Sequence, residues 1–154
     1  MRKDIILVHY NIDPIGFFIR FFTKSEWNHC AFILDSNFII ESNRHGIIVS
    51  NINKFNNKWL YKTKYLKVPK LKKKDKKDLI FYMLCLNTSK QCFIHRIWSY
   101  FLILCHYSGH IYPKTCSSLL SHAFALKNIY FNQKRLDFIT PEDIYKSQEV
   151  IKDV

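Results

Sequence analysis

His29, Glu41 and Cys116 are the residue types of a cysteine nucleophile with an oriented base. His29 lies in Glu26-Trp27-Asn28-His29-Cys30-Ala31-Phe32-Ile33-Leu34, an imidazole at the mouth of an apolar strand. Glu41 closes a second apolar run, Phe38-Ile39-Ile40-Glu41. Cys116 follows Tyr112-Pro113-Lys114-Thr115 and opens a segment, Ser117 to Phe124, that reads as a helix. With Thr115 as its N-cap, Cys116 is the first helical residue. Leu119, Leu120, Ala123 and Phe124 then head one apolar stripe with it, facing the interior. Unpaired N–H groups and the positive end of the helix dipole favour a thiolate there. Together with a cationic imidazole, such a position lowers a cysteine pKa to roughly 3.5–7.5. The same N–H groups would hold an oxyanion. The competing reading is a small core residue heading a packed helix.

The elements around these residues must bring them together. His29–Leu34 and Phe38–Glu41 read as a β-hairpin about Asp35-Ser36-Asn37. A three-residue turn pairs Leu34 with Phe38 and Ala31 with Glu41. Glu41 then lies diagonal to His29 on the same face. A two-residue turn would place Glu41 opposite Cys30, on the wrong face, so the chemistry depends on the register. Ile5–Tyr10 reads as a first strand, and Ile47–Ser50 and Tyr65–Val68 as further strands. Asp13-Pro14 opens a helix over 15–22 that is apolar nearly all round, which implies burial, or else a membrane-facing side, with burial the leading expectation. Asn51–Asn57 reads as a loop, and Asp75 as the cap of a helix running to Leu86. A helix is expected over Phe93–His106, a weak strand or extended segment over Lys134–Thr140, and a short helix from Pro141 capped by Thr140. No repeat or domain boundary is visible, so residues 1–154 read as a single domain.

The order of these motifs resembles the circularly permuted papain-like enzymes of the NlpC superfamily. The likeness is to the YiiX-like and poxvirus-type branch, whose relatives include the lecithin retinol acyltransferase group. Lys3-Asp4-Ile5-Ile6-Leu7-Val8 is similar to the family's opening Gly-Asp strand, with Lys3 where Gly is usual. Ile19-Arg20-Phe21-Phe22-Thr23-Lys24-Ser25 is similar to its arginine-containing helix and pre-histidine loop, with Asn28 where Ser is common. Ile40-Glu41 with Gly46-Ile47, and Thr140-Pro141-Glu142-Asp143-Ile144, are similar to its glutamate strand and its terminal element. The resemblance spans residues 4–50 and 112–147; residues 51–111 match only in element order. It implies an α+β fold in which an antiparallel sheet carries the histidine and packs on a helix headed by the cysteine. It also implies acyl transfer through a thioester, with Cys116 as nucleophile, His29 as base and Glu41 as orienting carboxylate. Tyr10, near the end of the first strand, is a candidate oxyanion donor.

The remaining signals narrow the setting. The chain has 154 residues, 48% hydrophobic and 16% aromatic, which excludes a disordered chain. Its formal charge of +12 favours anionic partners (nucleic acid, an acidic membrane face or an anionic polymer such as a cell wall), with a solvated lysine surface as the alternative. Lys72, Lys73, Lys74, Lys76 and Lys77 are candidate anion-binding residues, with a solvated helix entry as the alternative. No base-reading motif accompanies them, so no specific nucleic acid is expected. Five cysteines without a paired framework or secretory signal read as reduced thiols at a cytoplasmic, at most membrane-peripheral, location. The longest apolar stretch, Trp98–Cys105, is too short to span a bilayer. Cys92, His95, Cys105, His106, His110 and Cys116 could be read as metal ligands but fit no familiar zinc pattern well, so neither metal nor cofactor is expected. His45 is the alternative to Glu41. The leading expectation is cleavage of an amide, such as a cell-wall peptide. A lipid-directed acyltransferase, thioesterase or deacylase is the second reading, and a non-catalytic basic module binding nucleic acid or acidic membrane the third.

Overall fold

The strands follow the two-residue alternation of the sequence. The computed structural model describes residues 6–11, 16–17, 20–21, 24–43, 46–55, 61–86 and 115–152. Strands β1 (Ile6–Asn11), β2 (His29–Ile33), β3 (Phe38–Asn43), β4 (Gly46–Asn51), β5 (Tyr61–Lys67) and β6 (Ile151–Lys152) form one sheet, ordered β4-β3-β2-β1-β5-β6. All pairings are antiparallel. Among the described residues the helices of that sheet's covering layer are α1 (Lys73–Cys85), α2 (Cys116–Ala125) and α3 (Pro141–Lys146). This is the α+β arrangement expected of a permuted papain-like domain, with the His-bearing sheet packed on a helix that begins at Cys116.

Alternation divides the apolar side chains between two faces. Ile6, Val8, Cys30, Phe32, Ile40 and Leu66 face the helices and meet Leu79 and Met83 of α1 and Leu119, Leu120, Ala123 and Phe124 of α2. Leu7, Ala31, Ile33 and Ile39 point the other way, where Ile52 and Phe55 of a 3₁₀ turn (Ile52–Phe55) cover them. The expected three-residue turn is present. Asp35 Oδ1 accepts from the N–H groups of Asn37 (2.7 Å) and Phe38 (2.9 Å), and Leu34 N–H donates to Phe38 O (2.9 Å). Phe32 pairs with Ile40 and Ile33 with Ile39, so Ala31 is level with Glu41.

Other expectations need correction. The strand expected at Tyr65–Val68 begins earlier, at Tyr61, because six of its residues pair with β1. Its polar residues Lys62 and Lys64 hide it from a hydrophobic pattern. Lys72 rather than Asp75 is the N-cap of α1; the Asp75 carboxylate occupies the third helical position and accepts Lys72 N–H (3.2 Å). Leu136–Phe138 is a 3₁₀ turn rather than an extended segment. There Asp137 meets His122 of α2 at 2.8 Å, and Ser117 Oγ donates to Ile139 O at 2.6 Å. Phe17 and Phe21 stack on each other (centroids 6.4 Å apart) and are exposed, against the expectation of a buried helix. The helix expected at Phe93–His106 lies outside the described residues, as does His45. No helix among the described residues is long and apolar enough to cross a membrane.

Phe124 joins the sheet to the C-terminal region, lying 6.0 Å from Phe32 and 5.1 Å from Phe131, ring centre to ring centre. Phe124→Ala is therefore expected to cost about 3–5 kcal/mol. The exposed Phe81→Ala should stay within about 0.5 kcal/mol. Urea unfolding followed by circular dichroism checks both.

Candidate active site

Each site residue is placed by a local feature. Thr115 is the N-cap of α2: its Oγ1 accepts Ser118 N–H at 3.1 Å, and Ser118 Oγ accepts Thr115 N–H at 3.0 Å. Cys116 is thus the first helical residue, as the sequence predicts. His29 is the first residue of β2, so its ring sits at the strand's end and meets Cys116 across it. The preceding loop is tied to α3. Glu26 N–H donates to Glu142 Oε2 (2.8 Å), Ser25 Oγ donates to the Trp27 carbonyl, and Trp27 packs on Tyr145 with centroids 5.1 Å apart. The terminal Thr-Pro-Glu-Asp element therefore bears on the histidine, and its own cap is complete: Asp143 N–H donates to Thr140 Oγ1 at 3.1 Å.

His29 Nε2 lies 2.9 Å from Glu41 Oε2, the diagonal contact the register predicts. The ring also faces the Cys116 sulfur, whose charge and hydrogen bonding act on it. Glu41 is only 3% exposed, and its other oxygen accepts from Ser50 Oγ at 2.6 Å and from the Lys54 ammonium. Burial alone would raise the Glu41 carboxyl. The hydrogen bonds and charge of His29, with those of Lys54 and Ser50, outweigh it and hold the group far below the usual carboxylate range. Burial would likewise lower His29, but the facing Cys116 sulfur and Glu41 reverse this and raise the ring to about 9. For Cys116 the largest effect is the hydrogen bond from the Cys30 thiol. It overcomes burial, and with the charge and hydrogen bond of His29 and a backbone bond from Cys30 it pushes the thiol well below its ordinary value. These shifts favour a thiolate–imidazolium pair backed by a carboxylate.

Four contributors escaped the motif reading: His9, Cys30, Ser50 and Lys54. His9 pairs with His29 across β1 and β2, with ring centroids 4.8 Å apart, and its ring lies 4.2 Å from that of Phe55. Burial first, and then the cationic His29, push His9 down to about 2, so it stays neutral. The signals were present in kind. His9 is an inward position of the first strand, and Ser50 lies level with Ile39 on the face that carries Glu41. Only pairing across strands relates them to the site.

Tyr10 packs at the edge of the core cluster that contains Cys116, with the Arg20 guanidinium 4.0 Å from its ring centre. Lys72, Lys73, Lys74 and Lys77 are exposed at the start of α1. Lys76 turns inward: its ammonium donates to the Leu34 carbonyl (2.8 Å) and lies 5.7 Å from the centre of the Phe32 ring. Among the described residues no group of three or more His, Cys, Asp or Glu is placed to hold a metal ion. Cys92, His95, Cys105, His106 and His110 lie outside the described residues. The chain matches no protein-family model and no curated protein.

Two predictions follow from these charges. Glu41 is lowered from an ordinary value of 4.5, so its contribution to stability is complete above that pH and is lost as pH falls towards the folded value. Glu41→Gln should flatten the acid limb of the stability curve below about pH 4.5, and at neutral pH should cost about 3–5 kcal/mol by leaving buried partners unpaired. Urea midpoints measured from pH 3 to 7 test this. Iodoacetamide should label Cys116 rapidly at about pH 6, and at least tenfold more slowly in His29→Ala, since each unit of pKa changes the thiolate fraction about tenfold. Mass spectrometry of the Cys116 peptide reads the rate, and equal rates would rule out the ion pair.

Proposed function

We propose that this chain is a cysteine-dependent acyl-transfer hydrolase of the permuted papain-like, NlpC type, cleaving an amide bond. The observation that carries the reading is one imidazole held between a carboxylate at 2.9 Å and a buried sulfur at a helix N-terminus. Cys116 attacks the carbonyl carbon, and the carbonyl electrons move onto oxygen, which the Cys116 N–H stabilises. His29 then passes a proton to the leaving amine as the C–N bond breaks, leaving a thioester on Cys116. In the second half His29 takes a proton from water, hydroxide attacks the thioester, and the thiolate departs. Glu41 keeps the ring oriented and favours its cation throughout. Tyr10, at the edge of the core cluster that contains Cys116, is the candidate second oxyanion donor.

A peptide of an anionic polymer such as a cell wall is the substrate we favour, because the +12 charge would draw the enzyme to it. An acyl lipid is the second reading, supported by the exposed Phe17–Phe21 stack beside so basic a chain. Amide and wall-peptide substrates, acyl thioesters and anionic vesicles separate the two.

Whichever substrate turns over, Cys116→Ala should abolish hydrolysis. His29→Ala and Glu41→Gln should each lower kcat by about 10²–10⁴. Circular dichroism identifies variants that keep the fold. Turnover that survives in folded Cys116→Ala would defeat the proposal, and anion binding indifferent to both changes but steep in salt would favour a binding module.

A further inference from the structure

We infer that the 3₁₀ turn Ile52–Phe55 is a positioning element for His29: Lys54 acts on the imidazole through Glu41, and Phe55 acts on it through His9. The inference rests on the reading of His29 as the base for Cys116. Local chemistry sets the turn in place. Asn51 Oδ1 accepts Asn53 N–H at 2.8 Å, which starts the turn where β4 ends. Ile52 N–H donates to Asn37 O at 2.7 Å, so the turn is tied to the hairpin that sets the Glu41 register. Ile52 and Phe55 are buried over Leu7, Ala31, Ile33 and Ile39, on the sheet face that carries His9, His29 and Glu41. Consecutive residues of a 3₁₀ turn point roughly 120° apart, so Lys54 and Phe55 leave it in different directions.

The first route is electrostatic. Glu41 Oε2 meets His29 Nε2 at 2.9 Å, while Oε1 accepts from Ser50 Oγ at 2.6 Å and from the Lys54 ammonium. A carboxylate gripped at Oε1 by two donors cannot turn without breaking them, so Oε2 stays aimed at the ring. Lys54 also helps keep that carboxylate ionised against burial. The second route is steric. One contact with Glu41 leaves the ring free to tilt about the line joining the two atoms. His9, level with His29 across β1 and β2, meets it edge to face, with centroids 4.8 Å apart and planes at 66°. Phe55 backs His9, ring centre to ring centre 4.2 Å. The tilt of His29 is thus limited by rings anchored in the turn. Lys54 Nζ lies 4.9 Å from the centre of the Phe55 ring, which joins the two routes. The titratable groups set against His29 are Glu41 from β3, His9 from β1 and Cys116 from α2, with Lys54 beyond Glu41.

The test compares the full wild-type chain with Lys54→Met, Lys54→Arg and Phe55→Leu, using iodoacetamide as the probe of Cys116. Labelling at about pH 6 should slow about tenfold in Lys54→Met and in Phe55→Leu. Titration of the His29 ring by ¹⁵N NMR separates positioning from simple loss of a charge. A nearby cation lowers an imidazole pKa, so Lys54 acting only as a charge would, once removed, let the His29 midpoint rise. Loss of the aim of Glu41 does the opposite, and a fall of about one pH unit is expected in Lys54→Met. Lys54→Arg keeps the charge and the donors and should restore both readings. Phe55→Met replaces Phe55→Leu if circular dichroism shows the latter unfolded. A His29 midpoint that rises or stays fixed in folded Lys54→Met, or unchanged labelling in the folded Phe55 variant, would overturn the inference, even though wild-type Cys116 labels rapidly. Wild-type Cys116 that labels no faster than the exposed Cys85 would overturn the reading of the site itself.

Discussion

A line of alternating charge organises the site: the Lys54 ammonium, the Glu41 carboxylate, the His29 imidazolium and the Cys116 thiolate. Taking any one of these charges out of water alone would cost several kcal/mol. In sequence each neighbour compensates the last, and Ser50 fills the remaining acceptor capacity of Glu41. The partly exposed Lys54 brings one end of the line towards solvent. This pairing requires the strand register, the helix cap and the loop before β2 to be correct together. An error in any one strands a buried charge.

Identical residue types acquire opposite character in this frame. His9 and His29 touch edge to face, yet one is kept neutral and the other cationic. The difference is access to Glu41 and Cys116, which His29 has at the end of its strand. Cys30 and Cys116 divide in the same way: burial and its role as donor keep the first a thiol, while the hydrogen bonding of Cys30 and the charge of His29 favour the second as a thiolate. Neutral His9 and Phe55 wall the polar line on the sheet face away from the helices, and α2 closes the other.

Much of the architecture was legible because it rests on short-range rules. Thr115 and Thr140 announced two caps, and Asp35-Ser36-Asn37 announced a three-residue turn that sets the Glu41 register. The failures have equally local causes. Lys62 and Lys64 masked the first half of β5, which is held by backbone pairing to β1 rather than by an apolar pattern. The 3₁₀ turn at Leu136–Phe138 is held by His122 and Ser117 of α2, partners remote in sequence. Phe17 and Phe21 satisfied a burial pattern yet remain exposed, since apolar character states a preference and not a partner.

The sequence by itself determined the types of the candidate reacting groups and the element that carries each: a cysteine at a helix start, a histidine at a strand start, a glutamate diagonal to it on the same strand face. These follow from capping chemistry and two-residue periodicity, which act over a few residues. Only the tertiary structure decided which groups share charge and protons. Lys54, Ser50, His9 and Cys30 joined the site because strands and a helix distant along the chain pack together, and electrostatics in a buried site depends on distance in space.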